Sequence, residues 1–381
     1  ELIRIHKVMN SEVHENAQFL PWHRQLLRDF EYEMELAIKT IEPNYRFALP
    51  YWDSTLDSQA PETSPLLQPN IFGNNGDQFN NYCLTTGPGE RVRWGHWFPA
   101  HHDDNSCVQR YYGNDFGTPN VLGAFYPPGA IQNSLQTYSD NYWYFNREVQ
   151  FGFHAKVHAN LGGDMANVAI SPNDPIFFLH HAFVDKVWNI FQNLKPENKN
   201  MYFGPAQGGA PINPNDPNDD PGFGNSFPTD LLSYFGIPVS SVFDTYAERL
   251  CYKYSNYGVV NSPQLKEAIA QTNGANNLSF DKDKEDEPLK KVETPDSVDR
   301  TEPNLLRDFG HISEDFILKM GWNLTEVRAV ENRNLKVVKK LNILIANKKY
   351  DSPVKLGGKN LYKAVYSVMA NNRFKKSKTK L

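Results

Sequence analysis

The chain has 381 residues (43.6 kDa) and is 40% hydrophobic, 13% aromatic and 22% charged, a composition that supplies a globular core and excludes disordered and fibrous classes. No run approaches the roughly 18 to 20 apolar residues of a membrane span, and a net charge of -5 with no basic stripe speaks against nucleic acid as a partner. Three cysteines are too few for a disulfide scaffold or a thiolate zinc site.

The chain opens on Glu1 inside what reads as a continuing element, so a trimmed product is expected. The first long helix is predicted over Pro21 to Ile41, where Leu27, Phe30, Met34, Ile38 and Ile41 recur at three- and four-residue steps. Pro21 suits a first helical turn and marks a break before it. Residues 42–139 are aromatic and rich in Gly and Pro, and read as loops packed on helices. A second helix is predicted over Tyr142 to Ala159, and a third from the start signal Ser171-Pro-Asn-Asp-Pro175 to about Gln192. The stretch from Gly204 to Gly224 is dense in Pro, Gly, Asn and Asp, and reads as a surface loop. Beyond Tyr254 the charge reverses: residues 1–254 carry 16 Lys+Arg against 28 Asp+Glu, and residues 255–381 carry 23 against 16. An acidic core (1–254), a solvated linker (255–300, including Asp281 to Glu287) and a basic C-terminal segment (301–381) are expected, the last able to dock on the core, with a basic tail that binds another partner as the alternative. Its hydrophobic stretches run from His311 to Met320 and from Val337 to Ala346.

Seven of the eleven histidines (His6, His14, His23, His154, His158, His180, His181) fall in two segments about 130 residues apart. His154 and His158 are four apart on a predicted helix, which stacks both imidazoles on one face. His181 shares a stripe with Phe177, Val184 and Trp188, and His180 shares one with Ile176 and Phe183; periodicity does not choose between them. His14 and His23 are nine apart, so they converge only if the chain breaks between them; His6 and His14 are expected to need an irregular segment as well. Two groups of three histidines, with no matching carboxylates or thiolates, suit copper among the imidazole-binding metals. Glu-x-x-His pairs for di-iron are absent, and His14-Glu15 does not continue into a zinc-protease helix.

Phe19-Leu-Pro-Trp-His-Arg24, Phe30-Glu31, Leu49-Pro-Tyr-Trp-Asp53, His154-x3-His158 and Ser171 through Asp185 together resemble the tyrosinase and catechol oxidase family of type 3 copper proteins over about residues 1–200. The resemblance implies a mainly α fold: a four-helix bundle holding a dinuclear copper site, with long loops and a smaller C-terminal segment. It assigns two copper ions, one to His6, His14 and His23 and one to His154, His158 and His181, with His180 a neighbour. By the same likeness Asp185 orients an imidazole, Phe30 stacks near the metals and Val168 lies over the first copper. Tyr252-Lys-Tyr254 resembles the motif closing the catalytic core of fungal members, whose C-terminal extension lies over the copper site and keeps the enzyme latent.

The implied activity is oxidation of o-diphenols to o-quinones with O2, as in pigment or melanin formation, on phenolic small molecules. The alternative is a non-enzymatic dioxygen carrier of haemocyanin type. Ala155 and Ala159 stand beside the second group's histidines, and Glu148 and Gln150 are the nearest groups to hold a water, so phenol hydroxylation is expected to be weak or absent. Glu12 replaces the cysteine that many members cross-link to the second histidine. A Cys83–Cys107 disulfide with Cys251 free is expected, and His96, His101 and His102 between them read as a polar loop. With sequons at Asn277 and Asn323, the disulfide suggests secretion.

Overall fold

A computed structural model describes residues 1–87, 107–206, 226–255, 266, 267, 270 and 305–347. His96, His101, His102, Asn277, the 281–287 charge run and most of the 204–224 loop lie outside the described residues.

Helix α1 (Leu2–Val13) buries Ile5, His6 and Val13. The chain then turns through Glu15, whose φ is +60°, and α2 (Phe19–Lys39) begins. The break therefore precedes Pro21, which is the third helical residue, where a missing N–H leaves no bond unmade. Only the first half of α2, Phe19 to Leu27, is buried; the rest runs along the surface.

The long connection is built of short 3-10 turns at Pro61–Thr63, Pro65–Leu67, Gln78–Asn80 and Asn114–Phe116. A Cys83–Cys107 disulfide fastens it, and Cys251 is free and exposed. One helix, α3 (Pro128–Thr137), stands inside the span expected to be loop. Its interior apolar pattern reduces to Ile131 and Leu135, too little periodicity to announce a helix, yet both are buried.

The predicted second helix is made of three pieces: α4 (Tyr142–Val149), a π-helical turn (Gln150–His154) and α5 (Ala155–Leu161). Helix α6 (Ile176–Gln192) follows and is buried along nearly its whole length. The Asp174 carboxylate accepts from the Ile176 N–H at 3.1 Å. The same carboxylate takes two nitrogens of Arg110 at 2.5 and 2.8 Å, in a pair with no exposed surface. Helices α1, α2, α4–α5 and α6 make the histidine-bearing bundle, and no sheet is present among the described residues.

The C-terminal segment supplies α7 (Glu314–Lys319) and α8 (Leu324–Ala346). Asn323 is exposed and caps α8, accepting from the Glu326 N–H. Two hydrophobic clusters result. The large one fills the bundle; the smaller joins Phe151, Ala155 and Ala159 to Ile312, Phe316, Ile317, Trp322, Val327 and Val330. The segment is thus docked on the core through buried apolar surface, at roughly 25 cal/mol per Å² removed from water.

Candidate metal centre

His6, His14 and His23 come together from three backbone settings. His6 lies on α1, His14 is the residue that ends α1 with extended backbone (φ -114°, ψ 155°), and His23 sits in the second turn of α2. No irregular segment separates His6 from His14, contrary to the sequence expectation: the extended conformation at position 14 itself brings the ring back. Ring centroids are 5.3 Å apart for His6 and His14, 5.1 Å for His14 and His23, and 5.5 Å for His6 and His23. His154 ends the π turn, His158 lies one turn on and His181 comes from α6, with centroids 4.6, 4.9 and 5.5 Å apart. In each trio one nitrogen per ring lies within 4.8 Å of the others. The trios face each other, with His23 and His181 stacked at 4.5 Å.

Backbone carbonyls aim the rings. The Nδ1–H groups of His14, His23 and His154 donate to the carbonyls four residues earlier, those of Asn10 (2.8 Å), Phe19 (2.7 Å) and Gln150 (2.9 Å). Helical side chains lean toward the N-terminus, which makes that acceptor the near one. His158 donates to Met165 at 2.6 Å and His6 reaches Ala169 at 3.4 Å, so the 3-10 turns Gly163–Ala166 and Val168–Asn173 serve one trio each. A carbonyl oxygen only accepts, so these contacts put the proton on Nδ1 and the lone pair on Nε2.

Burial holds all six imidazoles below their usual pKa, His14 and His158 down to about 4, and the ring nitrogens are neutral at pH 7. The Nε2 atoms of His6 and His23 are 3.4 Å apart, and those of His158 and His181 3.2 Å. For His6 and His23, whose Nδ1 groups both meet carbonyls, two lone pairs directed at one another at such range call for a cation between them; His181 Nδ1 has no protein partner. Nitrogens about 2.0 Å from one ion at roughly tetrahedral angles would lie about 3.3 Å apart. The donor set, all neutral imidazole, fits copper.

Residues 1–194, over half the chain, match the common central domain of tyrosinase. The chain belongs to the tyrosinase family. A tyrosinase of Aspergillus flavus is 29% identical over 267 residues, spanning 66% of this chain and 67% of that protein. A tyrosinase of Streptomyces lincolnensis is 31% identical over 236 residues, spanning 58% and 78%. A polyphenol oxidase of Thermothelomyces thermophila is a structural neighbour at a TM-score of 0.45 and 20% identity, covering 67% of this chain and 77% of that one.

Around this tyrosinase-family site, several residues are placed differently from the sequence expectation. Asp185 touches no imidazole: its carboxylate accepts from Arg24 Nε at 2.6 Å and from the hydroxyls of Tyr252 and Tyr254. It lies on α6 one turn past His181, but faces α2 and the Tyr-x-Tyr strap. Phe30 stacks on Phe178 at 3.7 Å, away from the histidines. The Val168 side chain packs on the smaller cluster, and it is the next residue's carbonyl that meets His6. His180 lies fully buried with its ring 5.5 Å from His154 and 5.2 Å from His158, and neither of its nitrogens has a protein partner.

Glu148 gives both carboxylate oxygens to the C-terminal segment, one to Arg333 and one to Asn334. Gln150 accepts from the Glu15 N–H through Oε1 and keeps a buried, unpartnered Nε2. Sequence reasoning assigned no role at the site to Phe19, Trp22 or Phe177. Phe19 is 4.9 Å from His154 and 4.8 Å from His23, Trp22 is 5.1 Å from His23, and Phe177 is 4.0 Å from His181 and 5.2 Å from His6. For Phe19 and Phe177 the signal was a spacing of four from His23 and His181, which a helix converts into contact; Trp22 directly precedes His23.

Proposed function

We propose that this chain is a dicopper oxidase that converts o-diphenols to o-quinones. Carrying this reading is the pair of facing, neutral, all-histidine trios, in which His6, His14, His23, His154 and His158 hold their Nδ1 protons on backbone carbonyls and so turn Nε2 lone pairs inward. His6, His14 and His23 would hold one copper and His154, His158 and His181 the other. When bound, the pair supplies O2 uptake and two-electron oxidation, two catechols and one O2 giving two o-quinones and two waters.

The protein's own part is to exclude bulk water, orient the reacting groups and control protons. Phe19, Trp22 and Phe177 wall the imidazoles with apolar surface, and burial keeps the histidines unprotonated, so no acid competes with the metal at neutral pH. Hydroxylation of a monophenol also needs a group to take the phenolic proton. Glu148, the carboxylate expected from the sequence, is occupied by a guanidinium and an amide, and Ala155 and Ala159 carry no acceptor. The reading is therefore diphenol oxidation, with monophenol hydroxylation slow or absent. The Cys83–Cys107 disulfide supports an oxidising, extracellular setting.

Supplying copper-loaded protein with 4-methylcatechol and recording oxygen uptake and quinone absorbance tests the proposal. Reversible oxygen binding without quinone would favour a carrier instead, and rapid turnover of a monophenol without added diphenol would overturn the specificity.

A further inference from the structure

The helix that carries His154 and His158 presents a second stripe, one position on and so about 100° round its axis. Glu148, Gly152, Ala155 and Ala159 recur on it at helical spacing. The C-terminal segment covers all four. Arg333 Nε reaches Glu148 Oε1 at 2.6 Å, a second guanidinium nitrogen reaches it at 2.5 Å, and Asn334 reaches Oε2 at 3.1 Å. A Cβ at Gly152 would sit 3.3 Å from Val330 Cγ1 and 3.6 Å from Tyr126, so only hydrogen fits comfortably under α8. Ala155 and Ala159 have no exposed surface, sealed by Ile312, Phe316 and their neighbours. Two further ties flank the stripe: Arg147 to Glu326 at 2.7 Å and Lys156 Nζ to the Gly310 carbonyl at 2.8 Å.

At the centre of this contact is the π turn. Gln150–His154 contains a non-helical residue, Gly152 (φ -92°, ψ -115°), and such a turn rotates every side chain after it relative to an uninterrupted α-helix. His154 and His158 both come after it. From inside, the turn is tied by His154 to the Gln150 carbonyl and by Gln150 Oε1 to the Glu15 N–H, next to His14. From outside it is held by α8, through Glu148 two residues before it and Val330 upon it, with Tyr126 beside Gly152 and Trp322 against Phe151.

We propose that α8 is a positioning element of the second histidine trio: the Arg333–Glu148 contact and Val330 hold the π turn in the register that aims His154 and His158. This rests on the dicopper reading. Positioning groups behind a metal ligand commonly change affinity 10- to 100-fold.

The test uses the full chain, copper-loaded and dialysed against graded chelator, with copper per chain as the readout. Wild type is expected to hold two ions. Arg333→Ala should lose one of them at a chelator concentration at least tenfold lower, and Arg333→Lys should recover part of the difference. To assign the ion, Arg333→Ala is placed on His6→Asn, where the remaining copper should weaken at least tenfold, and on His158→Asn, where it should not change. Glu326→Gln, which loosens the same helix without touching Glu148, should retain both ions. Should Arg333→Ala fail to fold, Arg333→Lys and Asn334→Ala carry the same comparison.

Equal weakening of both ions, equal loss in Glu326→Gln, or no loss in any variant would overturn the positioning role. So would a gain in quinone formation and unchanged copper content on releasing the segment by a cut between residues 281 and 300, which would make it a cover. Wild type that takes up no copper would sink the dicopper reading itself.

Discussion

Replacing Asp185 with Asn separates two roles that the sequence could not. The substitution keeps the side chain's shape and removes its charge. Left behind is the Arg24 guanidinium, which has no exposed surface. It retains Gln192 Oε1 at 2.9 Å, the Val242 carbonyl at 3.0 Å and the face of Trp188 at 3.7 Å. Removing one partner of a buried ion pair costs about 3 to 5 kcal/mol, and these remaining contacts place Asp185→Asn near the lower end. At roughly 2 to 4 °C per kcal/mol for domains somewhat smaller than this chain, the midpoint should fall on the order of 5 to 10 °C.

Tyr252→Phe and Tyr254→Phe should each cost about 1.5 to 3 kcal/mol, the value of a hydrogen bond to a charged group. On Asp185→Asn the same changes should cost less, because the tyrosines and the arginine share one carboxylate. Copper per chain should stay at two throughout, since Asp185 meets no imidazole. Thermal unfolding of the copper-loaded and metal-free proteins, with metal analysis of the same samples, checks both halves. Loss of copper at an unchanged midpoint would refute the reasoning and return Asp185 to orienting a ligand.

Single changes of His6, His14, His23, His154, His158 or His181 to Asn should each lower copper from two per chain to about one and abolish catechol oxidation. His180→Asn should lower neither number by more than a small factor, and stoichiometry by metal analysis distinguishes these cases. Cys83→Ser should destabilise the chain by about 3 kcal/mol, as expected for a loop with a sequence separation of 24, and the midpoint of wild type should fall equally on adding reductant. The metal-free protein should lose stability as pH falls from about 6.5 through about 4. Over that window the unfolded chain binds protons on seven imidazoles that burial keeps neutral in the fold, His180 included, at up to about 1.4 kcal/mol per pH unit for each. Asp57 works in the opposite sense, because burial pushes its pKa up to about 7 and the fold gains a proton first. A midpoint that does not change between pH 7 and pH 5 would contradict this balance.

Helical periodicity located α2, the α4–α5 helix and α6 to within a few residues; α4–α5 and α6 bury long apolar faces, whereas the α2 stripe that announced its helix is buried only at Leu27 and runs out onto the surface at Ile41. It missed α3, whose helix is imposed by burial of Ile131 and Leu135 and not by pattern. The identities of the clustered histidines were legible because the spacing of four at His154 and His158 is itself a geometry, and because the surrounding motifs are long. What aims the rings was not: the acceptors are main-chain carbonyls of Asn10, Phe19, Gln150, Met165 and Ala169, which no side-chain alphabet records. Asp185 shows the limit from the other side. One turn past His181, it has the spacing of a group that serves a ligand. Yet a long-range contact with Arg24, 161 residues away, decides where its carboxylate points. The π turn was equally hidden, since Gln150–His154 reads as ordinary helix and only the packing of α8 on Gly152 reveals why an extra residue is accommodated there.

The most direct test of the whole account is copper content and oxygen uptake on one preparation. Loaded protein should hold two coppers per chain and consume one O2 for every two molecules of 4-methylcatechol oxidised, and the metal-free and zinc-loaded forms should consume none. One metal per chain, or two coppers with no quinone formed, would contradict it.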